Sequence, residues 1–315
     1  MSTTTTEEKS LFFSRNTKSS DLKGRLIIGA TLAAVILIIA VLFLIIGIIV
    51  YNGSDMSSWE FISSFPTDGM TKGGILPAII GTFILVIVMS LAAVPFGTIT
   101  ALYLTEYAAE NSRFAAAVRF SVRTLAVVPS IIFGLFGLGF FIQFIGAGID
   151  NTFNDGQLHW GQPNILWASL TMALLTLPVI IVSVEEALKT VPRELREASL
   201  ALGATKWQTI RKVVLPESIS GIMTGTILAV SRGAGEVAPI LFTGAAYYLA
   251  TLPKSVSDQF MNLGYHIYIM STQSSDVEKT MPIQFATTLV LLMLTISLNI
   301  VAVIIRSRIR RKKVS

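Results

Sequence analysis

Cysteine is absent from this sequence. That excludes disulfides, thiolate metal sites and a cysteine nucleophile. Histidine is nearly absent as well: only His159 and His266 occur, with no HExxH or other metal-ligand spacing. Both fall in segments read as external loops, and neither is assigned a role. Charge is scarce, at 14% of residues, where a soluble domain carries about 25%. No GxxxxGK[ST] phosphate loop is present, so this chain cannot hydrolyse ATP by that route. A soluble basic face is also missing. The net charge of +5 comes from Lys and Arg set beside apolar runs, which points to membrane topology rather than nucleic acid.

What remains is apolar. Hydrophobic residues make up 52% of the chain and the mean hydropathy is +0.69. A helix crosses the hydrocarbon core with about 20 apolar residues. Six stretches qualify: 26–50, 75–104, 124–145, 165–184, 218–246 and 282–305. The expected fold class is an all-α polytopic membrane protein with six transmembrane helices. Pro95, Pro129, Pro178 and Pro239 are expected to interrupt their spans, leaving neighbours to satisfy the freed carbonyls. Residues 1–25 are polar and rich in Ser, Thr and Lys, which predicts a disordered tail. The first run, 26–50, has no small-residue cleavage pattern after it and reads as an uncleaved anchor. Residues 75–305 form the main transmembrane domain, and 306–315 a basic tail.

Loop charge sets the orientation. Twenty of the 24 Lys and Arg fall in the 1–25 tail, the 105–123 loop, the 185–217 loop and the C-terminal tail. The alternate loops hold only Lys72, Lys254 and Lys279, and Arg232 lies inside a span. The positive-inside bias therefore predicts that both termini are cytoplasmic.

The 185–217 loop is the most structured of these. From Glu185 to Pro216 it carries six Lys/Arg and four Glu. Pro192 suits the first turn of a helix, with Glu194 at its third position. Gly203 fits the left-handed residue that ends a helix. Thr205-Lys-Trp-Gln208 matches a capping box opening a second helix toward Leu215-Pro216. The spacing predicts a helical hairpin on the cytoplasmic side. Leu195 and Leu202 share a face with Ala198 and with Ser199. Small residues there permit close approach, either by a partner or by the chain's own helix ends.

Inside the fifth span, Arg232 and Glu236 stand four residues apart, and are read as sharing one helical face. A central arginine costs about 2.5–3.5 kcal/mol on insertion scales, so it must face protein or water. Two readings are open. The pair is a neutralised structural lock, or it is a pathway site in which the guanidinium offers bidentate bonds to an oxyanion. Gly221 and Gly225 form a GxxxG that reads as close packing within the chain.

Glu197-Ala198-Ser199, three residues, Gly203, nine residues, Val213, one residue, Leu215-Pro216 resembles the EAA loop of ABC importer permeases. Ser199 and Val213 depart mildly from that pattern. The resemblance implies that Arg196, Glu197, Ala198, Ser199, Gly203, Ala204, Leu215 and Pro216 couple to an ATPase. Two further stretches, Pro129 to Gly137 and Ser231 to Thr243, resemble the phosphate-specific branch. The Gly-Glu-x-Ala-Pro form and the Leu252 to Tyr268 loop are similar to its A-type permease. The resemblance implies a transport path using Arg232 and Glu236 and no catalysis in this chain. ATP and Mg would be bound by the partner ATPase. The implied partners are a second homologous permease, two ATPase subunits and an extracytoplasmic phosphate-binding protein. The expected location is the cytoplasmic membrane of a bacterium or archaeon. A permease for molybdate or sulfate, a gradient-driven anion carrier and a membrane scaffold remain alternatives at this point.

Overall fold

The computed structural model describes residues 17–311 except 110 and 275. It divides into two units, Met1–Asn52 and Gly53–Ser315. In the first unit, α1 runs Thr17–Gly53, to the edge of the second. It begins well before the boundary expected at 26; residues 1–16 of the predicted tail lie outside the described residues. From Leu26 to Val50 its composition is apolar all round, as a helix bathed in lipid or protein requires.

The second unit opens with a short helix, α2 (Trp59–Ser63), capped by Ser58, and a two-residue hairpin, β1 (Pro66–Thr67) with β2 (Lys72–Gly73). Then come α3 (Leu76–Leu102), a wider π-type turn at Tyr103–Tyr107, and α4 (Arg113–Leu125), capped by Ser112. A composite span follows: α5 (Ser130–Phe136), a π-type stretch at Gly137–Gly146, and α6 (Ala147–Phe153). Next are α7 (Ile165–Lys189), α8 (Arg193–Ala201), α9 (Lys206–Thr209) and, after a π-type turn at Ile210–Val214, α10 (Leu215–Ala234). The chain ends with α11 (Ile240–Thr243), α12 (Leu263–Thr272) and α13 (Val277–Arg311). Six helical segments among the described residues are long and apolar enough to cross a membrane: Gly24–Gly53, Leu76–Tyr107, Ser130–Phe153, Ile165–Lys189, Lys206–Ala234 and Val277–Arg308.

Three expectations need correction. The third span starts at Ser130 rather than 124, because Pro129 stops the preceding helix and 113–125 form the separate amphipathic α4. The fifth helix ends at Ala234 rather than 246, since Gly235 terminates it and Pro239 cannot continue it. Pro95 and Pro178, by contrast, sit inside continuous helices. The basic residues 306–311 of the expected C-terminal tail continue α13.

The core is built around α7. Helix α3 packs along it most extensively, and α10 covers a further face. Glycines allow this approach. A methyl on Gly97 of α3 would stand 2.6 Å from Ile180, one on Gly221 of α10 would stand 2.7 Å from Ala187, and one on Gly225 would overlap Ser183. The GxxxG thus serves packing within the chain. Leu85, Met89, Met172, Ile180, Val184 and Leu188 fill the contact. A second cluster joins α2, α3, α12 and α13 through Phe61, Ile75, Met261, Ile269 and Ile283.

Buried polar groups pin the far end. Asp150, 1% exposed, accepts the backbone N–H groups of His159 (2.8 Å), Trp160 (2.9 Å) and Gly161 (2.6 Å), fixing the connection after α6. His266 is not in a loop but on α12, buried, and its Nδ1 has no hydrogen-bond partner. Burial holds its imidazole down to about 4 from the usual 6.5.

Two predictions follow from this packing. Gly225→Val forces α10 from α7 and should destabilise the chain by about 1–3 kcal/mol, whereas Gly139→Ala faces open space and should leave the melting temperature in detergent unchanged. For His266 the unfolded chain takes up a proton near pH 6.5 and the fold only near pH 4. Stability contributed by the neutral ring is complete above pH 6.5 and lost as pH falls toward 4, on the order of 3 kcal/mol in all. Thermal melts at pH 7.5 and 4.5 should differ less in His266→Leu than in the unaltered chain.

Candidate functional site

The hairpin folds as its local signals dictate. Pro192 caps α8 from just outside its first turn, so Glu194 is the second helical residue rather than the third. Gly203 adopts φ +81°, the region where a side chain is strained. The Gly203 N–H donates to the Leu200 carbonyl (2.9 Å) and the Ala204 N–H to Ser199 (3.2 Å). This is a Schellman closure of α8. The predicted capping box opens α9: the Gln208 N–H donates to Thr205 Oγ1 at 3.3 Å, and the Thr205 N–H to Gln208 Oε1 at 2.9 Å. Ser199 Oγ and Thr209 Oγ1 pair at 2.9 Å, locking the two helices together.

The candidate coupling residues divide by direction. Glu197, Ala198 and Gly203 lie on the exposed side, and Leu202 at the tip is 90% exposed, with Leu195, Leu200 and Trp207 beside it. Ala204, Leu215 and Pro216 are half-buried, and Ser199 turns toward Thr209. Arg196 faces inward. Its Nη2 meets Glu106 Oε1 at 2.8 Å, with side chains 19% and 9% exposed. Arg196 also donates to the carbonyls of Leu188 (2.8 Å) and Val191. Glu106 lies on the turn at the end of α3. The same turn meets α9 through Lys206, whose Nζ stands 5.2 Å from the Tyr107 ring centre. Nearby, Arg119 of α4 binds Glu185 of α7 at 3.1 Å and the Leu104 carbonyl at 2.6 Å. Sequence reasoning missed these pairs, because partners 66 and 90 residues apart leave no local pattern.

The intramembrane charges take a different form from the one expected. Arg232 is in the last turn of α10, but Glu236 lies beyond the helix end, on the turn before Pro239. Their closest approach is 3.7 Å, too long for a hydrogen bond. Arg232 is 69% exposed on this chain and Glu236 24%. The preceding residue, Ser231, hydrogen-bonds Asn299 of α13. Against the break lies the start of α12, where a methyl on Gly264 would stand 2.7 Å from Val237. Beside Ser231 an apolar cleft of about 500 Å³ opens between α3, α10 and α13, lined by Val86, Leu91, Met223, Thr226 and Leu298. A loose pair with its arginine exposed stabilises a fold little. Glu236→Gln should therefore change the stability of the isolated chain by less than about 1 kcal/mol, read as a melting temperature in detergent; a larger loss would mark a structural lock.

Comparison with known proteins bears on these features. Residues 106–311 match the family described as binding-protein-dependent transport system inner membrane component. The chain is similar to the probable ABC transporter permease protein YqgI of Bacillus subtilis, 30% identical over 75% of this chain and 79% of that one. It is also similar to the phosphate transport system permease protein PstA of Haemophilus influenzae, 32% identical over 78% and 80%. Among solved structures, a bacterial alginate ABC transporter in complex with an alginate-pentasaccharide-bound periplasmic protein has a chain sharing the fold. The TM-score is 0.64, with 17% identity over 91% of this chain and 96% of that one.

Proposed function

The chain belongs to the family of binding-protein-dependent transport system inner membrane components and is a non-catalytic permease subunit of an ABC importer; from that premise we propose that its cargo is inorganic phosphate. The observation that carries the proposal is Arg232. It is a guanidinium held at a helix break, loosely paired and open to a neighbour or a ligand. Arginine's planar donors suit a phosphate oxyanion, and the likeness to PstA proteins supports that choice of anion. Glu236 would hold the guanidinium between cargoes, so that the site is never an unpaired charge in hydrocarbon.

The chain works with a second homologous permease, two ATPase subunits that bind ATP and Mg, and an extracytoplasmic binding protein. Its basic loops support a cytoplasmic side for both termini and the hairpin, in a bacterium or archaeon. The exposed Leu202, Trp207, Ala198 and Glu197 surface seats in a groove of the ATPase. ATP draws the two ATPase subunits together, and the hairpins move with them. The permease pair opens outward, receives phosphate from its carrier and reopens inward after hydrolysis, an alternation between two packed arrangements.

The test is ATP-dependent uptake of labelled phosphate by the complete complex in vesicles. Arg232→Ala should lower uptake at limiting phosphate on the order of 10- to 100-fold, the loss of a charge-assisted hydrogen bond. Excess sulfate or molybdate should not compete. Competition by either would reassign the cargo, and uptake unchanged in Arg232→Ala would remove the residue from the path.

A further inference from the structure

We infer that Arg196 and Glu106 form a strut that carries the motion of the hairpin into α3, and that Arg196 is a positioning residue rather than an ATPase contact. The inference rests on the reading of the chain as an ATP-driven permease subunit. It starts from an asymmetry in the packing. Helix α8 packs on α9 and on the Ile210–Val214 turn, and that turn leads without a break into α10. A push on the hairpin therefore reaches α10 through the main chain. No such covalent route leads to α3, which forms the opposite wall of the apolar cleft beside Ser231.

Side chains supply the missing route. Each hairpin helix holds the turn at the end of α3: α8 through Arg196 and Glu106 at 2.8 Å, α9 through Lys206 over the Tyr107 ring at 5.2 Å. A gap lies beside these links. A cleft of about 660 Å³, lined by Thr105, Glu106, Ala109, Arg119, Arg193 and Glu197 among others, separates the hairpin from the turn and α4. The ion pair crosses beside a gap rather than through a filled core. It is also built to bear load. Arg196 is fixed at its own end by the Leu188 and Val191 carbonyls, so the guanidinium has one orientation. The pair is mostly shielded, so salt screens it weakly. The turn it grips is anchored in turn by Arg119, which binds the Leu104 carbonyl and Glu185 of α7. With the strut in place, the hairpin drives both walls of the cleft together. Without it, α10 moves and α3 lags.

The experiment measures ATP hydrolysed per anion imported by the complete complex in vesicles, for the unaltered chain and for Glu106→Gln. The variant keeps the side chain's size and removes its charge. ATP hydrolysis should stay within about two-fold while uptake falls at least five-fold, so the ratio rises by a similar factor. In a second variant, Glu106→Cys with Arg196→Cys, joining the two thiols with a short cross-linker should restore the ratio; this chain has no other cysteine to compete. An unchanged ratio in Glu106→Gln, loss of complex assembly, or a cross-link that restores nothing would each overturn the strut. The unaltered complex separates this from failure of the functional reading. If it recruits no ATPase, that reading fails; if it transports normally and Glu106→Gln matches its ratio, only the strut fails.

Discussion

Close approach to α7 is the constraint on which the rest of this structure depends. Between helices in lipid there is little hydrophobic drive, so association relies on contact and on small residues that permit it. Here the small residues come from α3, from the Gly137–Gly146 stretch and from α10. Gly97 admits Ile180, Gly137 admits Thr171, Gly221 and Gly225 admit Ala187 and Ser183, and Gly233 admits Thr176. Each sits where a methyl group would collide. Helices α3 and α10 are thus set against α7, and both functional features are placed by that contact. The hairpin grows from the end of α7, and Arg232 ends the helix that Gly221 and Gly225 hold against it.

Irregular backbone appears where the chain has work to do. Lipid tolerates no unsatisfied carbonyl, so breaks are confined to places where protein or a water-filled path can satisfy them. The Gly235–Pro239 interruption abuts the start of α12 and leaves Arg232 at a helix end. The π-type turn at Tyr103–Tyr107 ends α3 where the hairpin grips it. These two departures lie at the two ends of the proposed route from ATPase to anion.

Much of this was legible in the residues. The hairpin's punctuation at Gly203 and Thr205-x-x-Gln208 is local chemistry, and the structure forms the Schellman closure and capping box those residues call for. The apolar runs located all six membrane-crossing helices, with errors at Pro129 and Gly235. There the hydropathy continued but the hydrogen-bond ladder did not. What the residues could not reveal is pairing across distance. Nothing in Arg196 announces Glu106, and nothing in His266 announces its burial. The spacing of Arg232 and Glu236 suggested a shared helical face, yet the helix stops between them. Local propensity could not weigh a glycine against the pull of an apolar run.

Transport as proposed requires that an ATPase seats on this hairpin and moves it. The most direct measurement is site-specific cross-linking in the assembled complex. A single cysteine at Leu202, unique in a chain that has none, is joined to neighbouring amines by a short thiol-to-amine reagent. The expected product is a covalent adduct with the ATPase subunit whose yield changes when ATP is bound. An assembled complex in which Leu202→Cys reaches no ATPase, while a cysteine elsewhere does, would contradict it.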